Sequence, residues 1–166
     1  MLQDGKTASL LFGVQWDLVL KHLSVKGVSD SDLKTDSSTW GNYYNQQFTI
    51  DRGKYNYLGD TFIDYTTATA NKVTYENGVS TKIGTTNANK ILLTTGASDT
   101  NSKYNIYDLA GNVFEWTLER TSYSSDPCAG RGGDYDVAGS FSPASYRSGD
   151  SPSDSFGSIG FRCSLY

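Results

Sequence analysis

Two cysteines, one histidine and a few closely spaced acids are the side chains whose types could carry chemistry here. Cys128 and Cys163 are the only thiols, too few for a disulfide framework and without the spacing of a zinc site. Two readings stay open for them. A bridge would close a loop of about 35 residues and, in the chain-entropy model, stabilise by roughly 3 to 4 kcal/mol; the other reading is two ordinary thiols in a reducing compartment. His22 is the only histidine. It stands where an apolar helical run ends, and spacing sets no serine beside it, so a helix-end role is expected rather than a Ser-His-Asp centre. Asp30 and Asp32 sit in a Ser-rich stretch and read as solvated loop acids before they read as metal ligands.

These residues must be positioned by one domain spanning residues 1–166. The chain is 37% hydrophobic and 13% aromatic, which suffices for a core. Its net charge of −4, with no basic stripe, argues against a nucleic-acid surface. The longest apolar run, Leu10 to Val14, is far too short to span a bilayer, and no charged segment followed by an apolar one opens the chain as a secretory signal would. One stretch, "SLLFGVQWDLVLKHL", has helical periodicity. Leu11, Val14 and Leu18 form one stripe and Trp16, Leu20 and Leu23 a second, which predicts burial on two sides, with Thr7 or Ser9 as N-cap. Beyond Ser24 the composition shifts to Gly, Ser, Thr, Asn, Asp and Tyr. "QFTID", "KVTYE", "KILLTT" and "NVFEWTL" are short candidate strands, and "VSDSDLKTDSSTW" and "TTGASDTNSKY" read as surface loops. The expected fold class is α+β, with one main helix near the N-terminus, few short strands and long loops.

The densest signal is "NIYDLAGNVFEWTLER", Asn105 to Arg120. Gly111 and Asn112 make a turn that tolerates positive φ, feeding a strand whose Val113, Trp116 and Leu118 are expected in or near a core. With "RGG" at Arg131 to Gly133 and "GFRC" at Gly160 to Cys163, in this order, the chain resembles the formylglycine-generating-enzyme-like branch of the C-type lectin fold. The helix with "GVQWDLVL" is similar to that family's Q-W helix, and "WGNYYNQQF" with "LLTTGA" is similar to members found in prophages of gut bacteria. The resemblance covers most of the chain from Ser9 on. Family members usually carry more sequence before this helix, including a strand that pairs near the C-terminus. That portion is expected to be missing here, so that the final strand either lacks its usual partner or finds another, for instance from a neighbouring chain.

The resemblance carries chemical implications. The family's oxidases use two cysteines in the segment after R-G-G to bind copper, and those places fall near Val137 and Ser142. Neither supplies a thiolate, so no copper and no enzymatic activity are expected. The family's turn before the E-W strand binds calcium, and the implied ligands here are Asp108, Gly111, Val113 and Glu115, the glycine and valine through their carbonyls. The alternative is that Asp108 caps the turn and Glu115 pairs with Arg131 or Arg162, with no ion.

The resemblance extends to the variable proteins of diversity-generating retroelements, whose C-terminal binding loops are rewritten at adenines. Their landmarks look like "RGGDY", "PASYR" and "IGFRCSLY" here, which makes residues 131–166 the implied variable region. Adenine substitution in AAC or AAT codons cannot give Lys, Gln, Glu, Met or Trp, and residues 131–166 contain none of these and no Asn. Aromatics set among Ser, Gly and Asp are also the mixture antibody loops use. The expected contact residues are Asp134, Asp136, Val137, Phe141, Ser142, Tyr146, Ser148, Gly149, Asp150, Ser151, Asp154, Phe156 and Ser158. Arg131, Gly132, Gly133, Arg147, Gly160, Phe161 and Arg162 are assigned to scaffold. Acids on this face would favour a neutral or basic partner. The function expected is recognition without a chemical step: a phage or cell-surface receptor-binding protein whose ligand is a protein or glycan, without nucleic-acid binding or membrane insertion. A fixed-specificity lectin-like binder and a degenerate oxidase relative are the alternatives.

Overall fold

In a computed structural model the chain alternates short strands with long connections, and residues 5, 7–46, 48–57, 61–65, 74–76, 79–81 and 90–165 are described. Strand β1 is Ala8–Leu10, followed by helices α1 (Gly13–Val25) and α2 (Asp30–Lys34). The next strands are β2 (Phe48–Thr49), β3 (Lys54–Tyr57), β4 (Ile63–Asp64), β5 (Thr74–Glu76), β6 (Val79–Thr81) and β7 (Ile91–Leu93). Two small ones follow, β8 (Ser102–Lys103) and β9 (Ile106–Tyr107), and then β10 (Phe114–Arg120), β11 (Cys128–Arg131), β12 (Arg147–Asp150), β13 (Ile159–Phe161) and β14 (Cys163–Leu165). The expected strands are all found in part; Gln47 of the first, and Lys72 and Val73 of the second, lie outside the described residues. The α+β class holds.

The helix begins at Gly13 rather than Ser9, because the backbone of Ala8–Leu10 is taken by an antiparallel ladder to β14, with Leu10 opposite Cys163. The terminal strand thus finds its partner within the described chain rather than going unpaired or pairing with a neighbouring one. With Ser9 in a strand, the helix start is closed by the Phe12 N–H donating to Gln15 Oε1 at 2.8 Å. Burial is also one-sided. Trp16, Leu20 and Leu23 enter the core while Val14 and Leu18 face solvent at 64% and 62% exposure. Lys26 N–H donates to the His22 carbonyl at 3.0 Å, and the exposed imidazole sits in the last helical turn, as a helix-end residue would. The expected loop at Ser29 to Lys34 contains helix α2. Ser29 is its N-cap, Asp32 accepts from the Ser29 and Thr39 hydroxyls, and Asp30 pairs with Lys34, so both acids are spent on a helix start. Residues 94–104, read as loop, include a 3-10 turn at Asp99–Asn101 and the β8–β9 pairing.

One core joins Trp16, Leu20 and Leu23 of α1 to Leu33, Trp40, Tyr43 and Leu109; a second gathers Phe48, Ile50, Tyr55, Ile91 and Leu93. Asn42 and Asn112 stitch the two, since Asn42 Nδ2 donates to both the Ile91 carbonyl and Asn112 Oδ1, which also accepts from Leu93 N–H. The principal sheet has the order β12-β11-β10-β13, with β13 parallel to β10. Among the described residues, no helix is long and apolar enough to cross a membrane.

Candidate functional site: the outward face of the principal sheet

Alternation along β10 sorts its side chains into two faces. Glu115 and Thr117 are buried at 5% and 6% exposure, whereas Leu118 is 50% exposed and Phe114 and Trp116 are half-buried. Register extends this sorting across the sheet. Trp116 stands opposite Gly130 and Phe161, Gly130 opposite Ser148, and Cys128 opposite Asp150. The outward face therefore runs Ser148 and Asp150, then Cys128 and Gly130, then Phe114, Trp116 and Leu118, then Ile159 and Phe161. Tyr146 and Phe141 extend it: the Tyr146 ring lies 6.0 Å from Phe114 and 6.4 Å from Phe141, and Phe141 is 69% exposed. The inward face carries Glu115, Arg131 and Arg147 in register.

This arrangement corrects several assignments. Trp116 and Leu118 look outward, because the inner positions of β10 go to polar groups that find partners there, Glu115 with Arg162 and Thr117 with the Ala129 carbonyl. Phe161, assigned to scaffold, is 65% exposed on the same face. These framework residues were missed as candidate contacts.

The connection 132–146 is rigidly held. Gly132 lies at φ +90°, and a Cβ there would approach the Leu109 carbonyl oxygen to 2.8 Å and the Trp16 ring to 2.9 Å. Tyr43 donates its hydroxyl to the Gly132 and Ser142 carbonyls at 3.1 and 2.9 Å, and Trp16 Nε1 donates to the Ala144 carbonyl at 2.9 Å. Burial pushes the Tyr43 phenol well above its ordinary range, so it stays a donor. Two expected contacts belong to this support. Asp134, 6% exposed, accepts from Asp136 N–H and has its carboxyl raised by burial, and Ser142 is fully buried with its carbonyl on Tyr43. Neither offers its side chain to a partner. Val137 packs partly against the core while its carbonyl accepts from Tyr44 N–H. Gly149 alternates onto the inward face, opposite buried Ala129.

Ser151 and Asp154 close the turn of the loop between β12 and β13, with Asp154 Oδ2 accepting from Ser151 N–H at 3.1 Å. Phe156 in that loop is 51% exposed, and the Ser158 carbonyl accepts from Phe114 N–H at 2.8 Å. Of the acids expected to set partner charge, Asp134 is buried and Asp136 pairs with Lys90. Asp150 is the acid left on the outward sheet face, its carboxyl raised by partial burial, so the face is more apolar and less acidic than composition suggested.

The turn before β10 has φ +53° at Asp108, +69° at Gly111 and +66° at Asn112, as the sequence required for the last two. Both Glu115 oxygens are held by the Arg162 guanidinium, whose Nη2 also donates to the Tyr107 and Asp108 carbonyls at 3.3 and 3.2 Å. A cationic side chain thus occupies the turn, in the manner of the ion-pair alternative, with Arg162 rather than Arg131 as partner. Burial raises the Glu115 carboxyl, and Arg162 opposes that. Asp108 Oδ2 accepts from Gly96 N–H at 2.7 Å, while Oδ1 is buried with no hydrogen-bond partner. Burial pushes this carboxyl up to about 6, against the pull of the Gly96 N–H and Arg162. Of the implied calcium ligands Asp108, Gly111, Val113 and Glu115, Glu115 is paired with Arg162 while Asp108 keeps one carboxylate oxygen unpartnered, so an ion here would have to compete with Arg162.

Both cysteines are free thiols. Cys128 begins β11 and Cys163 begins β14, in different sheets. Val137 and Ser142, near which the resemblance implies the oxidases' thiolates, are half-buried and buried.

Comparison with protein families agrees with this architecture. The family model described as the sulfatase-modifying factor enzyme 1-like domain matches residues 29–165, from just before α2 to the end of β14, leaving α1 outside the match. No curated protein and no solved structure matches the chain significantly.

Proposed function

The chain belongs to the sulfatase-modifying factor enzyme 1-like family, whose domain implies a C-type-lectin-like fold, and from that premise we propose that it is a non-enzymatic recognition domain. It binds its partner with the outward face of the principal sheet and the loops that border it. The observation that carries this reading is the pair of exposed rings Phe141 and Phe161 on the face that also carries Tyr146, Ser148 and Asp150, with Phe156 exposed in the bordering loop. Exposed rings gathered on one face, unlike singly scattered ones, mark interaction sites.

The contact residues divide into two kinds. Phe114 and Trp116 of strand β10, and Phe161 of the fixed landmark on β13, are framework. Phe141, Tyr146, Ser148, Asp150 and Phe156 are the positions free to vary within residues 131–166, the segment without Asn, Lys, Gln, Glu, Met or Trp. That composition supports rewriting of asparagine codons by a diversity-generating retroelement. The Tyr43, Trp16 and Arg162 contacts support a backbone that stays fixed while side chains change. The partner is a protein or glycan on a host or target cell, met by a phage particle or a bacterial surface, without nucleic-acid binding or membrane insertion.

The deciding experiment is to sequence the DNA around the gene. A near-copy of the segment encoding residues 131–166, differing only where the copy has adenine, beside a reverse-transcriptase gene, is the expected result. Mismatches at all four bases, or no copy, would leave a lectin-like binder of fixed specificity.

A further inference from the structure

The opposite side of the same sheet holds a second feature. Helices α1 and α2, strand β11 and the start of β12 border an open cavity of about 510 Å³, within the range that takes a small ligand. Its charged lining is four cations, Lys21, Lys34, Arg131 and Arg147, with the carboxylates Asp17 and Asp30, and Glu119 stands against the two arginines. One positive charge is left over, in a chain whose net charge is −4.

Three details show that the cations are not fully used by the protein itself. Arg131 is 1% exposed, and while its Nη2 pairs with Asp17 Oδ1, its Nε and Nη1 have no hydrogen-bond partner. Glu119 Oε2, itself buried without a hydrogen-bond partner, lies 4.0 Å from Nε, too far for a hydrogen bond. Second, Arg147 is directly opposite Arg131 in the β11–β12 ladder, a like-charge pair that strands ordinarily avoid. Asp17 and Glu119 are shared between the two: Arg147 meets Asp17 Oδ2 at 3.5 Å and pairs through Nε with Glu119 Oε1. Third, Lys34 is matched by Asp30 at 2.9 Å, but Lys21 makes no ion pair among the described residues. A buried guanidinium with unspent N–H groups is costly, and an anion that accepts them removes that cost.

We propose that this cavity binds a small oxyanion, a carboxylate or phosphate group, which accepts from the free N–H groups of Arg131 and is flanked by Arg147 and Lys21. The Ser24 and Ser145 hydroxyls in the lining are further donors for it. The site is separate from the outward recognition face, and its test does not depend on that face having a partner.

The test uses the whole chain with inorganic phosphate and, separately, acetate, each against sodium chloride at matched ionic strength. Thermal unfolding and the side-chain Nε–Hε resonances of arginine are followed by titration. Expected is a saturable rise in Tm with a shift of the Arg131 resonance; the anion that saturates at the lower concentration identifies the class as phosphate or carboxylate. Lys21→Gln changes an exposed residue and keeps the fold, and weakens binding about three- to fivefold. Arg147→Gln weakens it about tenfold or more. The proposal is overturned if neither anion exceeds chloride, or if both variants bind as the parent does.

Discussion

The two faces of the principal sheet invert the usual order. The inward face carries Glu115, Thr117 and Arg131, all under a tenth exposed, and the outward face carries Trp116, Leu118 and Phe161. A polar interior is stable to the extent that its groups find partners. Glu115 is gripped by Arg162 and Thr117 donates to the Ala129 carbonyl, while Arg131 reaches Asp17 through Nη2 and lies 5.8 Å over the Trp16 ring with its Nε and Nη1 unpaired. The difference separates two tasks. The inside fixes where strands and loops lie, through directional contacts, and the outside is left with apolar area not needed for folding.

If this division is right, changes on the inner face should be felt as stability. The largest effect is expected from Glu115→Ala, which leaves the Arg162 guanidinium without its carboxylate beside the Tyr107 and Asp108 carbonyls. Removing one partner of a buried pair costs about 3 to 5 kcal/mol, measurable by urea unfolding. A cost below about 1 kcal/mol, the range of exposed pairs, would mean that the pair is not structurally important and that the comparison of faces is wrong.

Asp108 gives a smaller effect with an informative sign. Its carboxyl is raised from 3.8 to about 6 in the folded chain, so the folded state holds the proton more tightly than the unfolded one. The protonated form favours folding, and stability from this group falls as pH rises from about 4 to about 6. Asp108→Asn keeps an acceptor for Gly96 N–H and removes the charge. It is expected to stabilise at pH 7 by about 1 to 3 kcal/mol and to flatten that part of the pH profile. A chelator should leave the parent Tm unchanged. Destabilisation by Asp108→Asn together with a chelator-induced fall in Tm would instead show that a cation displaces Arg162 from the turn.

Much of this was legible in the sequence, and the failures share a cause. The turn at Gly111 and Asn112 and the strand after it can be read locally, because turn chemistry and alternation are local properties, while the landmarks at Arg131 and Gly160 were legible only through the family resemblance. The start of α1 could not be, since Ala8–Leu10 is claimed by β14, far away in the chain. In "FEWTLER" the alternation is plain, but alternation says only that there are two faces. Choosing the apolar one as inner failed because Glu115 has Arg162, and that partner is invisible to a local reading. In the binding segment, composition marked the region but could not separate Phe141, which is exposed, from Ser142, its buried neighbour. Tyr43, from a distant loop, decides that.

The outward face should give the smallest stability change and the clearest functional one. Phe141 is 69% exposed and touches Tyr146 at one edge, so Phe141→Ala is expected to alter stability by less than about 0.5 kcal/mol. An aromatic at the centre of a recognition surface costs about 2 kcal/mol or more of binding when truncated. A cell-binding or partner-binding measurement should therefore fall by roughly thirtyfold or more while urea unfolding is unmoved. Tyr146→Phe sharpens the point, since it keeps the ring beside Phe114 and removes the hydroxyl: retained binding assigns the contact to the ring, and lost binding assigns it to the hydrogen bond. If Phe141→Ala instead destabilised the fold while binding survived, the outer aromatics would belong to the core's account, and the two faces would not differ in task.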